Sequence, residues 1–124
     1  MRGDSRFSFY EFFAGGGMAR AALGAAWDCL FANDVDPTKA AAYAANYGGA
    51  GLHVGDIAEL TPDQLPGAAD LAWASFPCQD LSLAGRRGGL AGARSSTFFA
   101  LMDLIEGLRA RGRAPALIAI ENVT

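Results

Sequence analysis

The stretch Phe7-Ser8-Phe9-Tyr10-Glu11-Phe12-Phe13-Ala14-Gly15-Gly16-Gly17-Met18 decides the fold class. A mostly aromatic run from Phe7 to Phe13 meets three consecutive glycines, and an alanine-rich segment from Met18 to Ala26 follows. That succession predicts strand, tight turn and helix, the opening of a βαβ unit. Working outward, the same alternation recurs. A second strand is expected at about Trp27 to Asn33, followed by Asp36 as an N-cap, Pro37 at the first helical position and a helix to Asn46 that Gly48 and Gly49 stop. A short third strand, Leu52 to Val54, leads through Gly55-Asp56-Ile57 into a turn, and a fourth runs from about Ala69 to Ser75. After a loop holding Gly85, Gly88, Gly89 and Gly92, Ser95 or Ser96 caps a helix to about Arg111, and Ala116 to Glu121 makes a fifth strand.

Strands alternating with helices give the α/β class, and right-handed crossovers most simply arrange five such strands as a doubly wound parallel sheet of order 3-2-1-4-5. Strands 1 and 4 are then neighbours whose connections leave toward opposite faces, so a crevice opens beyond their carboxyl ends. Those ends carry Ala14-Gly15-Gly16-Gly17 and Phe76-Pro77-Cys78-Gln79, which should face each other.

With 124 residues and 52% hydrophobic side chains the chain suits one compact domain with a real core, which excludes disordered and fibrous classes. Glu11 interrupts the apolar opening, and no run approaches the roughly 18 apolar residues of a membrane span. Nor does the start read as a signal peptide, so no membrane association is expected. Cys29, Cys78 and the single histidine, His53, are too few for disulfide frameworks or zinc clusters, and the expected setting is the reducing cytoplasm. Charge is unevenly placed: residues 1–83 carry four basic groups against ten acids, whereas residues 84–114 carry six arginines against Asp103 and Glu106. Such a cationic segment in an acidic chain reads either as a contact for an anionic partner or as a solvated helix end plus a loop.

Gly15, Gly16 and Gly17 permit close backbone approach, which suits a nucleotide-like cofactor, although the spacing is not GxGxxG and glycines there also serve packing alone. Asp34, at the end of strand 2, lies 17 residues past Gly17, near the separation at which an acid commonly takes ribose hydroxyls. Asp56 ends strand 3 on the same rim, though it and Asp36 also fit as simple caps. Cys78 follows a proline at a strand end, whereas Cys29 sits within its strand and reads as core. His53 would stand three strand spacings from strand 4, roughly 14 Å, which argues against a Cys-His hydrolase. Strand 5, about 5 Å from strand 4, ends instead in Glu121-Asn122. A thiol beside a carboxyl group suits covalent addition to a substrate with protonation of a ring nitrogen; alternatively Glu121 and Asn122 only satisfy backbone groups at a strand end. Arg86, Arg87 and Arg94 among glycines suit closure over a phosphate backbone. Met18, Phe98, Phe99, Leu101, Leu104 and Leu108 are assigned to core packing.

Phe13-Ala14-Gly15-Gly16-Gly17, Phe76-Pro77-Cys78-Gln79 and Glu121-Asn122-Val123 resemble, in order and spacing, the successive signature motifs of DNA cytosine-5 methyltransferases. Asn33-Asp34, Gly55-Asp56-Ile57 and Ser96-Thr97-Phe98-Phe99 fit the lesser motifs, so the likeness runs from about Phe9 to Val123. The resemblance implies a Rossmann-like methyltransferase fold, S-adenosyl-L-methionine as cofactor, and duplex DNA whose target cytosine is turned out of the stack, in DNA methylation of the restriction-modification kind. It implies that Cys78 attacks ring carbon 6, that Glu121 protonates ring nitrogen 3, and that Asn122 fixes the catalytic loop or its proline. It also implies cofactor contacts from Phe13, Ala14, Gly15 and Gly17 at the methionine end, Asp34 and Val35 at the ribose and adenine, Asp56 and Ile57 at the adenine, and Pro77, with DNA contacts from Gln79, Ser82, Arg86, Arg87 and Arg94.

Two departures qualify the likeness. Val35 stands where the family's adenine-stacking aromatic is usual, which predicts a weaker hold on the cofactor. The family's later arginine motif, target-recognition region and terminal helix have no counterpart in residues 1–124, so the expectation is a partial catalytic domain, truncated or split, working with a complementary chain that carries those parts. Other readings are a non-catalytic cofactor- or DNA-binding remnant, and a methyltransferase of the same chemistry acting on tRNA.

Overall fold

The computed structural model describes residues 7–76 and 96–122. Five parallel strands form one sheet in the order β3-β2-β1-β4-β5, as the sequence predicts. They are β1 (Phe7–Phe12), β2 (Trp27–Asp34), β3 (Leu52–Val54), β4 (Leu71–Phe76) and β5 (Leu117–Asn122), with helices α1 (Met18–Leu23), α2 (Pro37–Tyr47) and α3 (Ser96–Ala110) between them. The fold is the Rossmann-like α/β arrangement. Among the described residues no helix is long and apolar enough to cross a membrane, and no group of three metal-ligating side chains occurs.

Local chemistry explains most boundaries. Asp36 caps α2 as expected, its carboxylate accepting the Thr38 amide at 2.8 Å with Pro37 in the first turn. α1 stops at Leu23, short of the expected Ala26, because Gly24 takes a left-handed φ of 81° and closes the last turn onto the Arg20 carbonyl. The stretch after β3, expected only as a turn, forms two 3-10 turns, Ile57–Glu59 and Pro62–Gln64, the first capped by Asp56 through the Ala58 amide at 2.9 Å.

β1 is the central strand and is buried on both faces from Phe9 to Phe12. Tyr10 and Phe12 join Phe31, Ala72, Ala74, Phe76 and the Leu101, Leu104 and Leu108 face of α3 in the main core. The opposite face packs Ala14, Ala32 and Tyr43, with Cys29 and Tyr47 against them. Cys29 is therefore a packing residue. Two assigned core residues are not: Met18 is 84% exposed and Phe99 is 43% exposed, because both point away from the stripe by which their helices meet the sheet.

The β1–β2 pairing carries one irregularity. Phe9 pairs with Cys29 but Tyr10 pairs with Phe31, so Leu30 is an extra residue in β2. Leu30 and Phe31 consequently both pack on the α3 side, and Ala32 returns to the α2 side.

The cationic segment divides. Arg113 donates to the carbonyls of Leu65 at 2.8 Å, Gly67 and Pro62, pinning the approach to β4; Arg111 pairs with Asp63 at 3.4 Å and Arg109 with Glu106. These three serve the fold; Arg86, Arg87 and Arg94 lie outside the described residues.

Glu11 is 2% exposed in the middle of β1, and its Oε1 has no partner. Burial raises its carboxyl from 4.5 to about 7, against the smaller opposing pull of the Ala19 and Arg20 amides and the Arg20 charge. The folded state therefore holds a proton that the unfolded chain releases above about pH 4.5, and stability falls as pH rises from there through 7. Glu11→Gln should flatten this slope, whose full height is on the order of 3 kcal/mol at most; thermal melts at pH 5 and pH 8 on both proteins measure it.

Candidate cofactor and catalytic site

The site is the rim formed by the carboxyl ends of the strands, at the point where connections leave the sheet in opposite directions. On the β1–β2–β3 side the rim is one hydrogen-bonded piece. Asp34, 7% exposed, accepts the Gly15 amide on Oδ2 at 2.7 Å and the Asp36 amide on Oδ1 at 2.8 Å. The Ala14 amide reaches the Asn33 carbonyl at 2.9 Å, and the Gly55 amide reaches the Asp34 carbonyl at 3.0 Å. Asn33, fully buried, donates from Nδ2 to the carbonyls of His53 and Gly55 at 3.2 and 3.0 Å. The acid expected to serve a ribose thus also fastens the glycine turn to β2.

Above this piece lies a cavity of about 150 Å³ lined by Phe13, Asn33, Val35, Gly55, Asp56, Ile57 and Thr97. It is smaller than the roughly 300–1,000 Å³ of whole-ligand pockets, so it suits one ring system of a larger ligand. Phe13 at its wall is held in the left-handed region at φ 58°, alone among the described non-glycine residues. Its ring lies 4.8 Å from that of Phe76, the last residue of β4, so the cavity wall and the β4 end touch. Val35 is 64% exposed at the mouth.

Below the turn, Gly17 lies against two tyrosines, one of which bonds to it. Tyr47 donates its hydroxyl to the Gly17 carbonyl at 3.3 Å, and Arg20 bridges by donating to the Tyr43 hydroxyl at 2.9 Å while lying 4.6 Å over the Tyr47 ring. Burial raises the Tyr43 hydroxyl well above its ordinary range, so it stays protonated. None of Tyr43, Tyr47 and Arg20 is a site residue on sequence grounds; they face the turn from α2 and α1, which the helical pattern alone does not reveal.

On the other side of the switch point, β4 and β5 pair in register, with Ser75 opposite Glu121 and Phe76 opposite Asn122. Glu121 accepts from the Ser75 hydroxyl at 2.9 Å. The structure thus gathers Phe13, Ala14, Gly15, Gly17, Asp34, Val35, Asp56, Ile57, Glu121 and Asn122 on one edge. His53, on β3, stands three strands from β4, as expected. Pro77, Cys78, Gln79, Ser82, Arg86, Arg87 and Arg94 lie outside the described residues.

The sequence matches the family described as C-5 cytosine-specific DNA methylase over residues 7–124. The chain belongs to that family. Among curated family relatives, it is 36% identical over 120 residues to the type II methyltransferase M.HpaII of Haemophilus parainfluenzae, a match covering 95% of this chain and 32% of that protein. It is 32% identical to M.AluI of Cellulosimicrobium cellulans, over 98% of this chain and 23% of the relative. The chain therefore spans about a third or less of the length of these methylases. Among solved structures, the S. pombe Dnmt2 methyltransferase superposes with a TM-score of 0.70 at 24% identity and the Entamoeba histolytica methyltransferase EhMeth with 0.74 at 21%. Each match covers 96% of this chain, and 34% and 38% of the other, and establishes the shared fold.

A β-carbon added at Gly17, where φ is 91°, would stand 2.5 Å from the Tyr47 ring. Gly17→Ala should therefore destabilise the fold by about 1–3 kcal/mol. Tyr47→Phe, which loses one hydrogen bond and keeps the ring, should cost about 1 kcal/mol; urea unfolding of the two variants checks the order.

Proposed function

We propose that this chain is the cofactor-binding and nucleophile-bearing part of a DNA cytosine-5 methyltransferase acting in the cytoplasm. The observation that carries the reading is the β4–β5 register. Cys78 follows Phe76 by two residues, and the neighbouring strand β5 brings Glu121 to the same edge, with the glycine turn at the end of β1 on the other side of β4.

The residues present fit the cofactor S-adenosyl-L-methionine. A side chain built at Gly15 or Gly16 meets no atom within 4 Å, so the turn faces open space where a ligand can approach backbone. The adjoining cavity, with Phe13, Val35 and Ile57 as apolar wall and Asp56 and Asn33 as polar edge, suits a purine ring. Asp34 uses two of its roughly four acceptor positions on the backbone and keeps others for ribose hydroxyls. The cofactor supplies an electrophilic methyl group on a sulfonium centre.

The chain's own groups supply the activation. The Cys78 thiolate adds to carbon 6 of a cytosine that must first leave the stack, because its ring carbons are covered inside a duplex. As the sulfur–carbon bond forms, Glu121 gives a proton to ring nitrogen 3, which places electron density on carbon 5. Once carbon 5 has taken the methyl group, loss of its proton to a solvent base expels the thiolate and restores the ring double bond. Gln79, Ser82, Arg86, Arg87 and Arg94 follow Cys78 closely enough in sequence to meet the phosphates and the vacated stack. Reading of a target sequence falls to a further segment, in the same or a complementary chain.

Calorimetric titration with S-adenosylhomocysteine should show binding to this chain, and Val35→Phe should tighten it about 2- to 10-fold by adding a ring against the purine. For catalysis, residues 1–124 joined to the carboxyl-terminal part of the M.HpaII relative should form a covalent adduct with a duplex containing 5-fluorocytosine, since fluorine cannot leave as a proton. The adduct should vanish with Cys78→Ser. Cofactor binding without any adduct would leave a non-catalytic binding domain, and transfer to tRNA but not to duplex DNA would move the substrate.

A further inference from the structure

Glu121, exposed at the end of β5, is tethered through one of its oxygens. The Trp73 indole Nε1–H donates to the Ser75 hydroxyl oxygen at 2.9 Å, and the Ser75 hydroxyl donates to Oε1 of Glu121 at 2.9 Å. Trp73 and Ser75 are two apart on β4 and so share a face, and their partners across β5, Ala119 and Glu121, share it too. The small Ala119 leaves room for the indole. An indole nitrogen donates and never accepts, so Ser75 must receive from it, and the one hydroxyl proton is committed to Glu121.

We infer that Trp73 and Ser75 are positioning residues for the proton transfer, fixing Oε1 as the acceptor and presenting Oε2 as the oxygen that carries the proton. This rests on the reading of Glu121 given above. The proton passes from Oε2 to ring nitrogen 3 as the thiolate adds, and it returns to Oε2 when the thiolate departs. The Ser75 hydrogen bond persists throughout. It is stronger to the anionic carboxylate left by the transfer than to the neutral acid, because charge-assisted hydrogen bonds are roughly twice as strong as neutral ones. An interaction that strengthens as the reaction proceeds raises the rate and leaves substrate binding alone.

The test uses the joined enzyme with a full duplex substrate. Ser75→Ala should lower kcat about tenfold with KM for cofactor and DNA unchanged, Ser75→Thr should restore most of the rate, and Trp73→Phe should lower kcat about threefold. In a Glu121→Gln background Ser75→Ala should change the residual rate less than twofold, since a residue acting through another has nothing left to act on. An unchanged kcat in Ser75→Ala, or the same tenfold loss with and without Glu121, overturns the inference while leaving the methyltransferase reading intact. A second measurement needs no turnover. The chain has two tryptophans, Trp27 and Trp73, so the two indole N–H resonances are separable by variant. The Trp73 resonance should move on Ser75→Ala, and an unmoved one overturns the relay whatever the activity.

Discussion

The rim depends on a single carboxylate. Asp34 joins an amide of the glycine turn to an amide at the start of α2, and its own backbone carbonyl takes the Gly55 amide from beyond β3. Three strand ends are thereby fixed with respect to one another by groups that sit out of water, where an unmet donor costs on the order of 1–3 kcal/mol. Asn33, one residue earlier and also buried, closes the same frame through its side-chain amide. A turn of three glycines would otherwise be the most mobile part of the chain, since glycine loses the most conformational freedom on ordering. Here the turn is flexible in composition and rigid in attachment.

The frame has a second support underneath. Tyr47 holds the Gly17 carbonyl, Arg20 lies over Tyr47, and Glu11 beneath α1 carries a carboxyl that burial keeps largely protonated below neutral pH. Polar groups concentrated under a binding turn are costly unless mutually satisfied, and here they nearly are, with one Glu11 oxygen as the exception. The other half of the site, β4 and β5, is held by a different device, a hydrogen-bonded line of side chains along one face of two paired strands. The halves meet through the Phe13–Phe76 ring contact and the four-residue pairing of β1 with β4.

The class, the strand order and nearly every strand were legible because their signals are local: aromatic runs, an Asp-Pro start, glycines at stops. The placement of Asp34, Asp56 and Glu121 along one rim was legible because the strand ends themselves were. What escaped had non-local causes. Helix α1 ended early because Gly24, inside the expected helix, takes a positive φ and closes the turn onto the Arg20 carbonyl. Met18 and Phe99 look like core by composition, and only the docking angle of their helices shows otherwise. Ser75 and Trp73 carry no motif; their meaning comes from β5 arriving beside them with Glu121 in register. Half the arginines of the cationic segment serve carbonyls and acids of the chain itself, which charge counting cannot distinguish from a surface waiting for an anion.

The supernumerary Leu30 bears on all of this. Side chains on a strand alternate strictly, so one added residue inverts the parity of everything downstream. Because Leu30 and Phe31 both turn toward α3, Ala32 fits the small gap beside Tyr43, Asn33 reaches inward over the end of β3, and the next residue is left aimed at the glycines. An unbroken ladder with the same letters would swap these orientations and send the acid to the wrong layer. The odd step in β2 acts as a half-cycle phase correction, and it is through that correction that the Asp34 carboxylate meets the Gly15 amide.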